Sequence, residues 1–161
     1  MANSEFINWI DADGLSASEP YHCPAGQVVI SPGSDGVPYF TVSQGEHIAL
    51  FGLSSADPRA FNVTQIGVGY GAFLALPSFE LVLGLSDFGS GITKDARAGD
   101  AFISGDQKGF VVKSGYGLAF VDIYGQYVTG IDWPSTLFFE KWAVIFENSN
   151  NTRIVVAGRN L

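Results

Sequence analysis

Within Tyr39–Leu53, YFTVSQGEHIALFGL, the chain writes a strand, a tight turn and a second strand into one short stretch. Phe40 and Val42 alternate with Thr41 and Ser43, the period-2 signature of a strand with one apolar face. Gln44-Gly45 supplies the turn, and Ile48, Leu50, Phe51 and Leu53 then put apolar groups on both faces of the returning strand. Such a strand has to lie inside a sheet that is covered on each side. The stretch therefore calls for a sandwich, or for a sheet half-covered by a neighbouring subunit.

The remaining pattern extends this. Gln27 to Leu53 reads as a three-strand meander with Pro32-Gly33-Ser34-Asp35-Gly36 as a connector, and Asp57-Pro58 as the start of a single helical turn. Phe61 to Leu83 predicts further strands, with Pro77 at an edge or a break. Ser86 to Asp100 reads as a long loop, the first place to look for a contact site, with a plain surface loop as the alternative. Trp142, Val144 and Phe146 alternate with Ala143, Ile145 and Glu147 before an Asn-rich turn, and Thr152 to Ala157 returns as the second arm of a hairpin.

The opening motif recurs. Phe40, Val42, Gly45, Ile48, Ala49 and Leu50 align at constant offset with Phe110, Val112, Gly115, Leu118, Ala119 and Phe120, and Ile30-Ser31 resembles Ile103-Ser104. One reading is a duplicated half with internal pseudo-symmetry; the other is that any two strand-Gly-strand units look alike. Twenty glycines, thirteen phenylalanines, six tyrosines and one methionine suit strands and turns. The expected fold is an all-β, antiparallel, jelly-roll-like sandwich over 26–161, preceded by an extended N-terminal arm over 1–25.

The arm combines an apolar patch, Phe6, Ile7, Trp9 and Ile10, with Asp11, Asp13, Gly14, Pro20 and Pro24. A few large side chains can anchor such a segment on a sheet edge, its own or a neighbour's. Asp11-Ala-Asp13-Gly14 with Glu19 brings to mind a calcium loop, but Leu15 stands where a third oxygen ligand belongs, so an Asx-turn is expected and no metal. The start, MANSEFINWI, predicts no secretory signal, and no run reaches the roughly 18 apolar residues of a membrane span. A virion location fits the assembly reading below, although the chain carries no address that selects one.

Charge narrows the function classes. Charged residues make up 15% of the chain against a usual value of roughly a quarter, while 47% is hydrophobic. A surface short of charge points to faces hidden against partners. The net charge of −8, with no Lys or Arg before Arg59, argues against binding a phosphate backbone. Cys23 is a lone thiol beside Pro24 and reads as a small buried hydrophobe.

Catalytic motifs are tested by elimination. His22 and His47 sit in no recognisable motif, there is no G-x-S-x-G elbow, and Gly67, Gly69 and Gly71 lack the spacing of a phosphate loop. A carboxylate pair for a small hydrolase could be drawn from Asp87, Asp95, Asp100, Asp106, Asp122 or Asp132. A lectin-like site could be drawn from Asp122, Tyr124, Tyr127, Asp132 and Trp133, since sugar rings stack on aromatic faces beside carboxylates; the same rings would also serve as a core cluster. The leading expectation is a non-enzymatic, self-associating structural subunit without cofactor, such as a virion or phage particle component, with a glycan-binding module as the alternative.

Overall fold

A computed structural model of the chain describes residues 12–33, 36–55, 57–85, 91–115, 117–148 and 151–161. The apolar patch Phe6, Ile7, Trp9 and Ile10 lies outside the described residues, as do Asp11, Asp87 and part of the Ser86 to Asp100 stretch. The strands are β1 (Ser16–Ser18), β2 (Val28–Ile30), β3 (Pro38–Gln44), β4 (His47–Gly52), β5 (Thr64–Gln65), β6 (Phe73–Ala75) and β7 (Glu80–Leu83). They continue with β8 (Ile92–Thr93), β9 (Ala101–Ser104), β10 (Gln107–Ser114), β11 (Gly117–Asp122), β12 (Thr136–Phe139), β13 (Trp142–Glu147) and β14 (Arg153–Arg159). Single 3-10 turns occupy Pro20–His22 and Trp133–Ser135. No helix among the described residues is long and apolar enough to cross a membrane.

The strands pair antiparallel into three sheets: β1-β6-β2-β3-β4-β5, β8-β12-β9-β10-β11 and β14-β13-β7. The first two face each other across one apolar core, which makes the chain an all-β sandwich. The third sheet turns its inner face, Leu81, Leu83, Trp142, Val144, Phe146 and Ala157, onto that same core. Within the segment read as an arm, β1 pairs with β6 in register Ser16 with Ala75 and Ser18 with Phe73.

The two main sheets repeat one plan. Phe40 faces Phe51 and Val42 faces Ala49 in the first hairpin; Phe110 faces Val121 and Val112 faces Ala119 in the second. Val28 stands opposite Phe40 as Ala101 stands opposite Phe110, and Val29 neighbours Ala75 as Phe102 neighbours Phe138. Strands β1, β2, β3, β4 and β6 thus correspond to β8, β9, β10, β11 and β12. The correspondence carries on to β7 and β13, where Phe79 packs edge-on to Phe40 at 5.6 Å and Trp142 to Phe110 at 5.2 Å. Those two strands pair with each other, and Leu81 lies opposite Val144, its own counterpart. A local two-fold axis therefore passes between Leu81 and Val144.

Each half also lends backbone to the other. Ser43 N–H donates to Gly125 O at 2.8 Å, and its counterpart Lys113 N–H donates to Phe61 O at 2.7 Å. Within each half the same bond recurs: Gly26 N–H donates to Thr41 O, as Gly99 N–H does to Val111 O, both at 2.9 Å. These bonds pair backbone donors that the strand ladders leave over. The core between the sheets is mostly rings: Phe40 and Phe110 lie 5.4 Å apart, Phe51 and Phe110 5.7 Å, and Phe61 and Trp142 5.8 Å. Burial of each such side chain stabilises by about 1.5–3 kcal/mol. Trp142 Nε1–H keeps its polar end paired by donating to Gly99 O at 2.8 Å.

Strand β4 is covered on both faces, as its sequence requires. Ala49, Phe51 and Leu53 look into the sandwich or its rim, while Leu50 belongs to an outer cluster with Cys23, Val29, Tyr39, Ile66, Phe73 and Ala75. The second sheet has a matching outer cluster of Phe102, Val111 and Phe138, roofed by Ala96, Phe120, Val128 and Ile131. Two local expectations change. Asp57-Pro58 makes a turn closed by Ala60 N–H to Asp57 O, with Asp57 Oδ1 accepting Arg59 N–H as a cap does, but it does not grow into a helical turn because Phe61 N–H goes to Gly52 O. In the stretch from Phe61 to Tyr70 only Thr64–Gln65 pairs as a strand, with Asn62 making a single bridge to Lys113, since Gly67, Gly69 and Gly71 interrupt the ladder and Ile66 turns under to roof the outer cluster.

Candidate functional site

The Asp122–Trp133 segment separates into three environments. Asp122 ends β11, and its Oδ1 accepts the N–H groups of Tyr124 at 2.9 Å and Gln126 at 3.0 Å, an Asx arrangement that holds the turn in place. That turn pushes Tyr124 outward, where it is 71% exposed. Tyr127 points the other way: it packs against the main core, its hydroxyl accepting from Gln44 Nε2 at 3.1 Å and lying 3.4 Å from Ser114 Oγ. Asp132 and Trp133 sit on the far side of the second sheet. Asp132 Oδ2 accepts the Ser135 hydroxyl at 3.0 Å, and Trp133 leans its ring on Phe120 and Phe138 at 5.8 and 6.0 Å.

One groove survives from the predicted ligand loop. It is a shallow depression of about 230 Å³ lined by Asp106, Gln107, Lys108, Asp122, Ile123 and Tyr124. The β9–β10 turn forms one wall and the β11 turn the other, tied by Ile123 N–H to Lys108 O at 3.0 Å. An exposed phenol ring beside carboxylates and an ammonium group has the elements of a sugar platform. Tyr127, Asp132 and Trp133 take no part in it.

The candidate carboxylates for hydrolysis are dispersed as well. Asp106 and Asp122 border the groove, whereas Asp100 is fully buried, with Oδ1 2.7 Å from Arg159 Nη1 and Oδ2 accepting Arg97 N–H at 3.1 Å. Burial pushes the Asp100 carboxyl above its ordinary value, against the pull of Arg159. Its partners are protein groups holding β14 and the loop before β9 together. Glu140 and Arg97 approach at 3.9 Å at the rim of the same corner.

Both histidines meet on one patch that the sequence had not joined. Tyr21, carried on the 3-10 turn, places its hydroxyl 3.3 Å from His47 Nδ1 and its ring edge-on to His22. Glu19 approaches His22 at 3.9 Å and accepts the Gly69 N–H. Among the described residues no group of three or more His, Cys, Asp or Glu side chains is arranged to hold a metal ion. Cys23 is buried, its thiol donating to Glu19 O at 3.6 Å.

A feature that sequence reading passed over is the outer face of the third sheet. Val82, Ala143, Ile145 and Val155 share it by register, and Leu161 lies over Gly158 on the same side. Val82 is 37% exposed, Val155 53% and Leu161 75%. Glu80 and Arg153 cross this face and pair at 2.9 Å, so they neutralise each other above an apolar floor. The alternation in β7, ELVL, carried the signal, with Leu81 and Leu83 turned inward and Val82 outward.

Comparisons with protein-family models, with curated proteins and with solved structures found no match to this chain.

Proposed function

We propose that the protein is a structural subunit that works by self-association, as a component of a larger protein assembly such as a virion. The observation that carries this reading is the apolar outer face of the third sheet, formed by Val82, Ala143, Ile145, Val155 and Leu161. Grouped exposed side chains of this kind form association surfaces when a second protein removes them from water. The charge shortage of the whole chain, 15%, is in keeping with such a role. Substituting Val155→Lys together with Leu161→Ser is expected to weaken self-association at least tenfold, with an unchanged thermal midpoint, because both side chains are exposed in the single chain. Sedimentation velocity across a concentration series reads this. An equal sedimentation profile for the variant and the unmodified chain would contradict it.

The groove beside Tyr124 supports a second reading, a glycan-binding module. Under that reading Tyr124→Ala abolishes retention on a glycan array and leaves folding intact, since a ring 71% exposed contributes affinity and little stability. Absence of retention for the unmodified protein on every glycan retires this reading.

A further inference from the structure

The local two-fold leaves one place in the third sheet unfilled. Strand β13 carries β7 on one side and β14 on the other, while its counterpart β7 carries β13 and, among the described residues, nothing on its second side. The slot that β14 occupies on β13 is thus open on β7. Gly84 N–H donates to Lys141 O at 2.8 Å and Val82 lies opposite Ala143, so Glu80, Val82 and Gly84 direct their backbone groups to β13. By the alternation of a strand, Leu81 and Leu83 direct theirs to the open edge. An open row of N–H and C=O groups beside an apolar face is a template for strand addition.

We propose that this edge is filled by a second copy of the chain, β7 pairing antiparallel with β7 about a true two-fold. The proposal rests on the self-association reading above and adds a second contact, at the strand edge beside that face. Three observations favour a second copy. The open edge continues the sheet in which the two halves of one chain already meet by strand pairing. The face flanking it is apolar at its centre, and the charges near the edge are of both signs: Glu80 pairs with Arg153, and Lys141 lies over Gly84, where Glu80 of the second copy would stand, so the contact opposes unlike charges. The sequence is also compatible with its own antiparallel image. With Val82 opposite Val82, Leu81 of one copy exchanges hydrogen bonds with Leu83 of the other, and Glu80 stands opposite Gly84. Every open backbone group of Leu81 and Leu83 is then used. The result is a six-stranded sheet, β14-β13-β7 continued by β7-β13-β14 of the second copy, with one continuous apolar outer face.

Charge placed at the centre of this pairing tests it. Directly opposed side chains in an antiparallel pair lie about 5 Å apart, and like charges there repel. Val82→Glu and Val82→Lys are each expected to weaken association at least tenfold, and an equimolar mixture of the two is expected to restore it, read by sedimentation. In the unmodified protein, the Leu81 and Leu83 amides are expected to exchange more slowly with solvent at high than at low concentration, a readout that needs no variant. If the unmodified chain associates while both variants behave like it, or if mixing restores nothing, this contact is overturned and the self-association reading stands. If the unmodified chain is a monomer throughout, both fall. Association that emerges only after deletion of residues 1–11 would mean that the chain fills the edge itself, which also overturns the proposal.

Discussion

Gly125→Ala is expected to cost more than about 4 kcal/mol, an exceptional loss for one methyl group, and to leave little folded protein. Two causes add. Gly125 holds φ at +76°, a conformation that costs a residue with a Cβ about 1–2 kcal/mol. The added Cβ would also lie 2.2 Å from Gly26 N and 2.6 Å from Thr41 O, backbone atoms of the other half that cannot swing aside. Gly26→Ala is expected to match it, since its Cβ would sit 2.4 Å from the Tyr124 carbonyl carbon. Gly115→Ala is the control: φ is +63° but nothing lies within 4 Å of the new methyl, so only the conformational cost of about 1–2 kcal/mol applies. Urea unfolding of the three variants measures these differences. A loss at Gly125 no greater than at Gly115 would mean that the two halves are not locked backbone to backbone.

Arg159→Leu is expected to destabilise by about 3 kcal/mol, the lower end for stripping a buried charge of its partner, because Arg159 itself is a third exposed. The cost comes from Asp100, which is fully buried and would keep only the Arg97 N–H. Asp100→Asn is expected to cost less, since no ionised group is left stranded. The pH dependence follows from the direction of the Asp100 shift. Burial raises its folded-state pKa above the unfolded value, so the folded chain holds this proton more tightly. Its contribution to stability is full below the ordinary carboxylate pKa and declines as pH rises through the raised value. Arg159→Leu removes the opposing pull, moves the Asp100 pKa further up, and is expected to steepen the decline between acid pH and neutrality. Asp100→Asn is expected to flatten it. Thermal midpoints across that range check the ordering, and an Arg159→Leu profile parallel to the unmodified one would contradict it.

The parts of the fold legible in the sequence were those fixed by local alternation. Tyr39–Leu53 and the Trp142 hairpin declare their strands through apolar spacing, and the repeat of Phe40, Val42 and Gly45 as Phe110, Val112 and Gly115 is visible because strand and turn keep the same length in both halves. Beyond those hairpins the repeat is hidden. By register, Phe73-Leu74-Ala75 of strand β6 corresponds to Thr136-Leu137-Phe138 of β12, alike only in the central Leu. The connection from Gly52 to Phe61 is longer than the matching one from Asp122 to Gly125, so the offset shifts. Pairing register, which depends on distant strands, recovers the equivalence.

The candidate site was legible only in composition. Nothing in the spacing of Tyr124 and Tyr127 says that one ring faces water and the other hydrogen-bonds Gln44; the direction is set by the Asp122 turn and by contact with the other half. Asp100 reads as one more loop carboxylate, and its burial follows from where β14 brings Arg159. The match of Gly99-Asp100 with Gly26-Gln27, each before the second strand of its half, was the available sign that Asp100 lies inside the repeat. The outer face of the third sheet was legible only as alternation in β7 and β13, because which side looks outward is decided by the sandwich beneath them.

Self-association is the claim on which the functional account turns, and the molar mass of the unmodified chain in solution tests it most directly. Light scattering at neutral pH, over a concentration series in the micromolar range, is expected to give a multiple of the 17.2 kDa chain mass, with a dimer as the smallest associated species. A constant 17.2 kDa at every concentration would contradict the account.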